Sequence, residues 1–123
     1  MNQNKALLLF PTLDEGEALR RLILEVPKEL DVLVVDSGST DDTVSVAVEA
    51  GWACIPAEFG RGQGSGLRTG FKHFLKSDYE FLVFLDADYT DNPADIPKVL
   101  GELVKGDCEV VLGIRDFIKQ KKF

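Results

Sequence analysis

Two carboxylates, Asp86 and Asp88, close the apolar run Phe81-Leu82-Val83-Phe84-Leu85 and precede the turn residues Tyr89-Thr90-Asp91-Asn92-Pro93. A strand buried on both faces that ends in two acids points them out of the sheet's carboxyl edge, where open α/β sheets bind ligands. At this spacing the pair can share one hard cation, Mg²⁺ or Mn²⁺, and such a cation carries phosphate. An isolated Asp-x-Asp is more often an ordinary solvated turn, so its meaning depends on what else reaches the same edge. Pro11-Thr12-Leu13-Asp14-Glu15 follows the apolar run Ala6 to Phe10, and Asp36-Ser37-Gly38-Ser39-Thr40-Asp41-Asp42 follows Val32 to Val35. In these stretches Glu15 and Asp36 can accept hydrogen bonds from a base N–H or from ribose hydroxyls. Ser39, Thr40 and Asp41 read as helix caps.

A fourth stretch, Gly60-Arg61-Gly62-Gln63-Gly64-Ser65-Gly66, leads into a helical pattern. Alternating glycines such as Gly62 let backbone amides approach a ligand, a helix start attracts anions, and Arg61 and Arg68 add charge. A flexible linker has the same composition. The stretch is neither a Walker loop nor a dinucleotide fingerprint, because no Lys-Ser/Thr follows it and it does not follow the first strand. His73, the single histidine, falls on the polar side of its helix and reads as a surface residue.

The elements that must hold these stretches alternate. Strands are expected at Ala6 to Phe10 (stopped by Pro11), Val32 to Val35, Ala53 to Ile55, Phe81 to Leu85 and Val110 to Ile114. Helices are expected between them: one with Leu19, Leu22, Ile23 and Val26 inward, one with Val44, Ala47 and Val48, one with Leu67, Phe71, Phe74 and Leu75, and one with Ile96, Val99, Leu100, Leu103 and Val104. The last is capped by Asp95, with Pro97 in its first turn. Buried strands alternating with helices give the α/β class: a doubly wound, mostly parallel sheet with helices on both faces. At 123 residues, 45% hydrophobic and 28% charged, the chain reads as one globular domain.

A net charge of −7 argues against a nucleic-acid partner, and the basic cluster Lys119, Lys121 and Lys122 reads as a solvated tail. Cys54 and Cys108 read as buried thiols of a reducing compartment. With no membrane-length apolar run and no signal-peptide pattern, the expected location is cytoplasmic, with a peripheral membrane association allowed.

Taken in order, the four stretches resemble the nucleotide-binding half of family 2 glycosyltransferases with the GT-A fold, most closely the dolichyl-phosphate mannosyl- and glucosyltransferase branch. Asp95-Ile96-Pro97-Lys98 and Val111-Leu112-Gly113-Ile114-Arg115 fit the same pattern. The resemblance implies that Pro11, Thr12, Glu15 and Asp36 hold the base and ribose of a nucleotide-sugar donor of the GDP-mannose or UDP-glucose type. It implies that Asp86 and Asp88 hold Mg²⁺ or Mn²⁺ on the diphosphate, with Asp88 and Arg115 at the reacting groups, and that Gly62 and Arg68 contact the donor. Leu13 stands where an aromatic is usual, and Asp14 where Asn is usual. The implied acceptor is a polyprenyl phosphate, and an exposed edge strand implies a homodimer.

Two other classes fit parts of the pattern. Phe84-Leu85-Asp86-Ala87-Asp88-Tyr89-Thr90 resembles the nucleophile motif of haloacid-dehalogenase phosphatases, whose later acidic pair is not found. A non-catalytic nucleotide-sugar-binding module, or a relative that works with a partner chain, needs the same donor residues.

Overall fold

The computed structural model describes residues 5–60, 63–88, 92–106 and 111. Strands β1 (Ala6–Thr12), β2 (Asp31–Asp36), β3 (Ala53–Pro56) and β4 (Phe81–Phe84) form one parallel sheet in the order β3-β2-β1-β4. Helices α1 (Gly16–Glu25), α2 (Thr43–Glu49) and α3 (Gln63–Leu75) are the crossovers. A short 3-10 turn at Pro93–Asp95 leads into α4 (Ile96–Val104). The α/β alternation and the side-by-side placement of β2, β1 and β4 are as expected. The fifth strand expected at 110–114 falls, apart from Val111, outside the described residues, as do Gly62, Cys108, Arg115 and the basic tail.

Alternate strand residues face two separate cores. Ala6, Leu8, Phe10, Val32 and Val34 pack against Leu19 and Leu22 of α1, Val46 and Ala47 of α2, and Ile96 and Leu100 of α4. Leu7, Leu9, Leu33 and Val35 face the other way, toward Leu67 of α3 and Tyr79. Trp52 stacks on Phe10 at 5.6 Å between ring centroids. Fixed partners of this kind on both faces set the register that brings the strand ends level.

Several expectations change. β1 runs through Pro11 to Thr12 instead of stopping at the proline. Leu9 accepts from the Leu85 N–H on the β4 side, and Thr12 from the Ser37 N–H on the β2 side. Pro11 shares the parity of Leu9, so its missing N–H faces β4 beyond the last bond of that pair and costs no ladder bond. α2 begins at Thr43, later than a Ser39 or Thr40 cap implies, and its inner face is Thr43, Val46 and Ala47 while Val44 and Val48 are exposed. β4 is not buried on both faces: Phe84 is 47% exposed and meets Phe71 edge-on at 6.3 Å.

The largest revision is α3. Phe71 and Leu75, expected inward, are 45% and 80% exposed. The face against the sheet is instead Ser65, Gly66, Thr69 and Gly70. A Cβ on Gly70 would lie 2.3 Å from Leu9 Cδ2, and one on Gly66 would lie 2.8 Å from Pro11 Cβ. These glycines serve close helix–strand packing. Residues 63–66 of the glycine-dense segment expected as a ligand loop are therefore the first turn of a helix.

Candidate active site

The chain leaves β1 for β2 and β3 on one side, then returns to place β4 on the other side of β1. The reversal puts the topological switch point between β1 and β4, and crevices for ligands open at the carboxyl ends of the strands there. A cleft of about 210 Å³ occupies that position, lined by Pro11, Thr12, Leu13, Glu15, Asp86, Ala87 and Asp88. Five sequence-derived site residues thus share one cavity. A larger cavity of about 540 Å³ lies at the opposite edge, among Trp52, Asp31 and Tyr79, away from every predicted site residue.

Burial raises the proton affinity of Glu15. A hydrogen bond from the Leu13 N–H (3.1 Å) opposes this, and the charges of Asp88, Asp86 and Asp41 reinforce it, so its carboxyl titrates above the ordinary range. Carboxylates that repel across a cleft mark a place for a positive charge. Among the described residues no group of three or more His, Cys, Asp or Glu side chains can hold a metal ion. Among the described residues, a cation at Asp86 and Asp88 has these two carboxylates and leaves room in its shell for oxygens of a ligand. Mg²⁺ and Mn²⁺ suit such a site, since hard cations commonly take one or two carboxylates plus substrate phosphates.

Asp36 stands next to this cleft, tied to it through Thr12. It is 7% exposed. Thr12 Oγ1 and Ser39 Oγ donate to its Oδ1 at 2.8 and 2.5 Å, and the Gly38 and Ser39 N–H groups donate to Oδ2 at 3.1 and 2.8 Å. Burial pushes its pKa up, but the bonds from Ser39, Thr12 and Gly38 outweigh burial and hold it below the ordinary value. The roughly four acceptor positions of a carboxylate are all taken. A ligand N–H or O–H reaching Asp36 must exchange with one of these donors, and Gly38, at φ +95°, is the residue that lets the turn close.

Arg68 does not line the cleft; its guanidinium lies 4.2 Å from the Phe59 ring centroid, in a cation–π contact. His73 is exposed, as expected. Cys54 is half-buried, and burial, with the Asp36 charge, raises its thiol pKa.

Sequence reasoning missed how the loop after β1 and the loop after β2 are joined. The N–H groups of Asp14, Glu15 and Gly16 donate to Ser39 Oγ (2.8 Å), Thr43 Oγ1 (2.8 Å) and Asp41 Oδ2 (3.1 Å). In return Asp14 Oδ1 accepts from the N–H groups of Thr40 (2.7 Å) and Asp41 (3.2 Å). Asp41 Oδ1 also takes the Thr43 N–H at 2.9 Å and its hydroxyl, and the hydroxyl bond is the main reason its pKa is lowered. Ser39, Thr40 and Asp41 were expected to cap their own helix; Asp41 does so through Oδ1 on Thr43, while its Oδ2 and the Ser39 hydroxyl serve the start of α1, whose N-cap, Glu15, makes no side-chain cap bond. The available signal was the run of Ser, Thr and Asp itself, more acceptors than one helix start can use.

The parallel α/β sheet matches solved structures of GT-A glycosyltransferases. Glucosyl-3-phosphoglycerate synthase from Mycobacterium tuberculosis, in complex with Mn²⁺, UDP-glucose and phosphoglyceric acid, superposes with a TM-score of 0.69 at 24% identity, over 83% of this chain and 40% of that one. The chain belongs to glycosyl transferase family 2, whose pattern matches residues 8–123. An uncharacterized glycosyltransferase of Mycobacterium tuberculosis is 35% identical over 88% of the chain and 47% of the relative. Glycosyltransferase AglJ of Haloferax volcanii is 33% identical over 85% of the chain and 34% of the relative. The chain thus spans half or less of the length of these relatives. No helix among the described residues is long and apolar enough to cross a membrane.

Proposed function

We propose that this chain is the donor-binding part of a metal-dependent glycosyltransferase that moves a hexose from a nucleoside-diphosphate sugar, of the GDP-mannose or UDP-glucose type, to a polyprenyl phosphate. The observation that carries this reading is the switch-point cleft, where Asp86 and Asp88 meet the end of β1 and Glu15 feels both charges.

In this reading Asp86 and Asp88 hold Mg²⁺ or Mn²⁺, which when bound neutralises charge on the departing diphosphate. Pro11, Thr12 and Glu15 form the wall toward base and ribose, and Asp36 fixes the Thr12 hydroxyl on that wall. Gly62, Arg68 and Arg115 are assigned to donor or acceptor phosphate; Arg68 must leave Phe59 to serve. A phosphate-monoester acceptor has a second ionisation near about pH 6, so its oxygen is already largely anionic at neutral pH. That oxygen attacks the anomeric carbon, a new C–O bond forms, and the bond to the diphosphate oxygen breaks, inverting the centre. No protein base is required, and positioning supplies most of the rate.

The synthase crystallised with Mn²⁺ and UDP-glucose supports the metal and the donor class by likeness of fold. A binding module that works with a partner chain accounts for the same cleft and is the second reading. Calorimetric titration with GDP-mannose, UDP-glucose and the free nucleotides, with and without Mn²⁺, tests the proposal. Metal-dependent binding that disappears in Asp88→Ala is expected; absence of binding by every nucleotide overturns both readings. Turnover with a polyprenyl phosphate then separates enzyme from binder.

A further inference from the structure

We infer that Asp14 is a positioning residue, whose side chain locks the loop after β1 to the loop after β2 and thereby holds Glu15 and the Thr12–Asp36 pair in register on the cleft. The sheet ladder between these strands ends with Thr12 paired to Asp36 and the Ser37 N–H on the Thr12 carbonyl. Beyond that point no main-chain to main-chain bond between residues 13–16 and 38–43 is present among the described residues. Side-chain to backbone bonds take over, and they run in both directions.

Asp14 is central to the exchange. It is the one non-glycine residue with positive φ among the described residues, at +53°. Asp and Asn tolerate this region better than other side chains, at a cost that persists only where surrounding contacts hold it. The turn aims its carboxylate at the start of the next loop, where Oδ1 collects the Thr40 and Asp41 N–H groups at 2.7 and 3.2 Å and the Thr40 hydroxyl at 3.4 Å. Its own N–H is held by Ser39 Oγ at 2.8 Å, and that hydroxyl in turn donates to Asp36. One residue therefore connects the backbone that carries Glu15 to the turn that carries Asp36. Gly16 permits the close approach: a Cβ there would meet Asp42 Oδ1 at 2.1 Å.

A site whose supporting bonds are lost loosens by fractions of an ångström, enough to weaken binding without unfolding the domain. The consequence for affinity rests on the donor-binding reading above; the consequence for loop order does not. Two variants of the full chain separate side chain from backbone. Asp14→Asn keeps the Oδ1 acceptor and the tolerance for positive φ. Asp14→Gly keeps the backbone freedom and removes the acceptor.

Backbone amide hydrogen exchange by NMR, calorimetric titration with UDP or GDP plus Mn²⁺, and thermal melting are measured on each. In Asp14→Asn, exchange at Thr40 and Asp41 and the nucleotide Kd should stay within about threefold of the original. In Asp14→Gly, both amides should exchange at least about tenfold faster and Kd should rise about tenfold, a loss of roughly 1.4 kcal/mol. Restoration by Asn at unchanged melting temperature is a result that general destabilisation does not give. Unchanged exchange in Asp14→Gly overturns the inference, as does faster exchange with an unaltered Kd. If the original chain binds no nucleotide, the proposed function falls; the inference then stands or falls on whether the amides of residues 13–16 also lose protection in Asp14→Gly.

Discussion

Gly66→Ala should destabilise the protein even though alanine is the better helix former. The added Cβ would sit 2.8 Å from Pro11 Cβ and 3.4 Å from Pro11 Cα. Carbons in good contact are about 3.5–4.0 Å apart, so α3 has to retreat from β1 by roughly 1 Å. The proline ring cannot rotate away, and β2 holds its strand in register on the other side. Overpacking of this kind costs about 1–3 kcal/mol, against a helix-propensity gain of about 1 kcal/mol. Gly101→Ala in α4 is the internal control, because a Cβ there meets nothing within 4 Å. It should stabilise by about 1 kcal/mol. Urea unfolding of both variants, analysed at equal m-values, gives a difference that isolates the steric cost, expected at about 1–3 kcal/mol. Equal stabilisation by the two substitutions would falsify the close packing of α3 on Pro11.

Glu15→Gln should stabilise the fold at pH 7, because burial and the neighbouring acids raise the native Glu15 pKa above its ordinary 4.5. The folded state binds that proton more tightly than the unfolded chain, so the contribution of Glu15 is complete below 4.5 and is lost as pH rises through the native pKa. Thermal melts of both proteins from acid to neutral pH should therefore converge in acid and separate above it; a constant gap contradicts the assignment. Tyr79 donates its hydroxyl to Asp31 Oδ2 at 2.5 Å across the amino edge of the sheet, and this bond is the main reason its pKa is pushed up to about 12. A double-mutant cycle of Tyr79→Phe and Asp31→Ala should give a coupling of about 1 kcal/mol, reduced by solvent exposure; a coupling near zero shows that the bond adds nothing.

The strand ends were legible because each is an unbroken apolar run followed at once by polar residues, a pattern that parallel sheets impose on β1, β2 and β4 alike. Their convergence needed only the order of elements. What lay beyond reach was bonding between loops. Asp41 looks like a cap for its own helix, and nothing in its local sequence shows that one oxygen goes to Gly16, far back in the chain. The inner face of α2 was misread because Val44, Ala47 and Val48 form one apolar stripe and Thr43, Val46 and Ala47 another a single residue away, and it is the second that packs on the core. Phe84 misled because burial of a strand's second face depends on what covers it, which its own apolar run does not encode.

The glycines of α3 show why composition pointed to the right region for an incomplete reason. Four helical residues rise about 6 Å, and two strand residues span about 6.6 Å. A helix running antiparallel to β1 can therefore set every fourth residue over every second strand residue. Gly66 over Pro11 and Gly70 over Leu9 have that match. The four-residue spacing of Gly66 and Gly70 carried the signal, hidden by the Gly-x-Gly-x-Gly alternation that drew attention to ligand contact. Close packing then brings Ser65 and Thr69 to the edge of the sheet, where their hydroxyls accept the Phe59 and Glu58 N–H groups at 3.1 and 2.9 Å. The segment acts first as a fixture between β1 and the loop after β3. Arg68, carried on the outer face of this fixture, rests against the Phe59 ring.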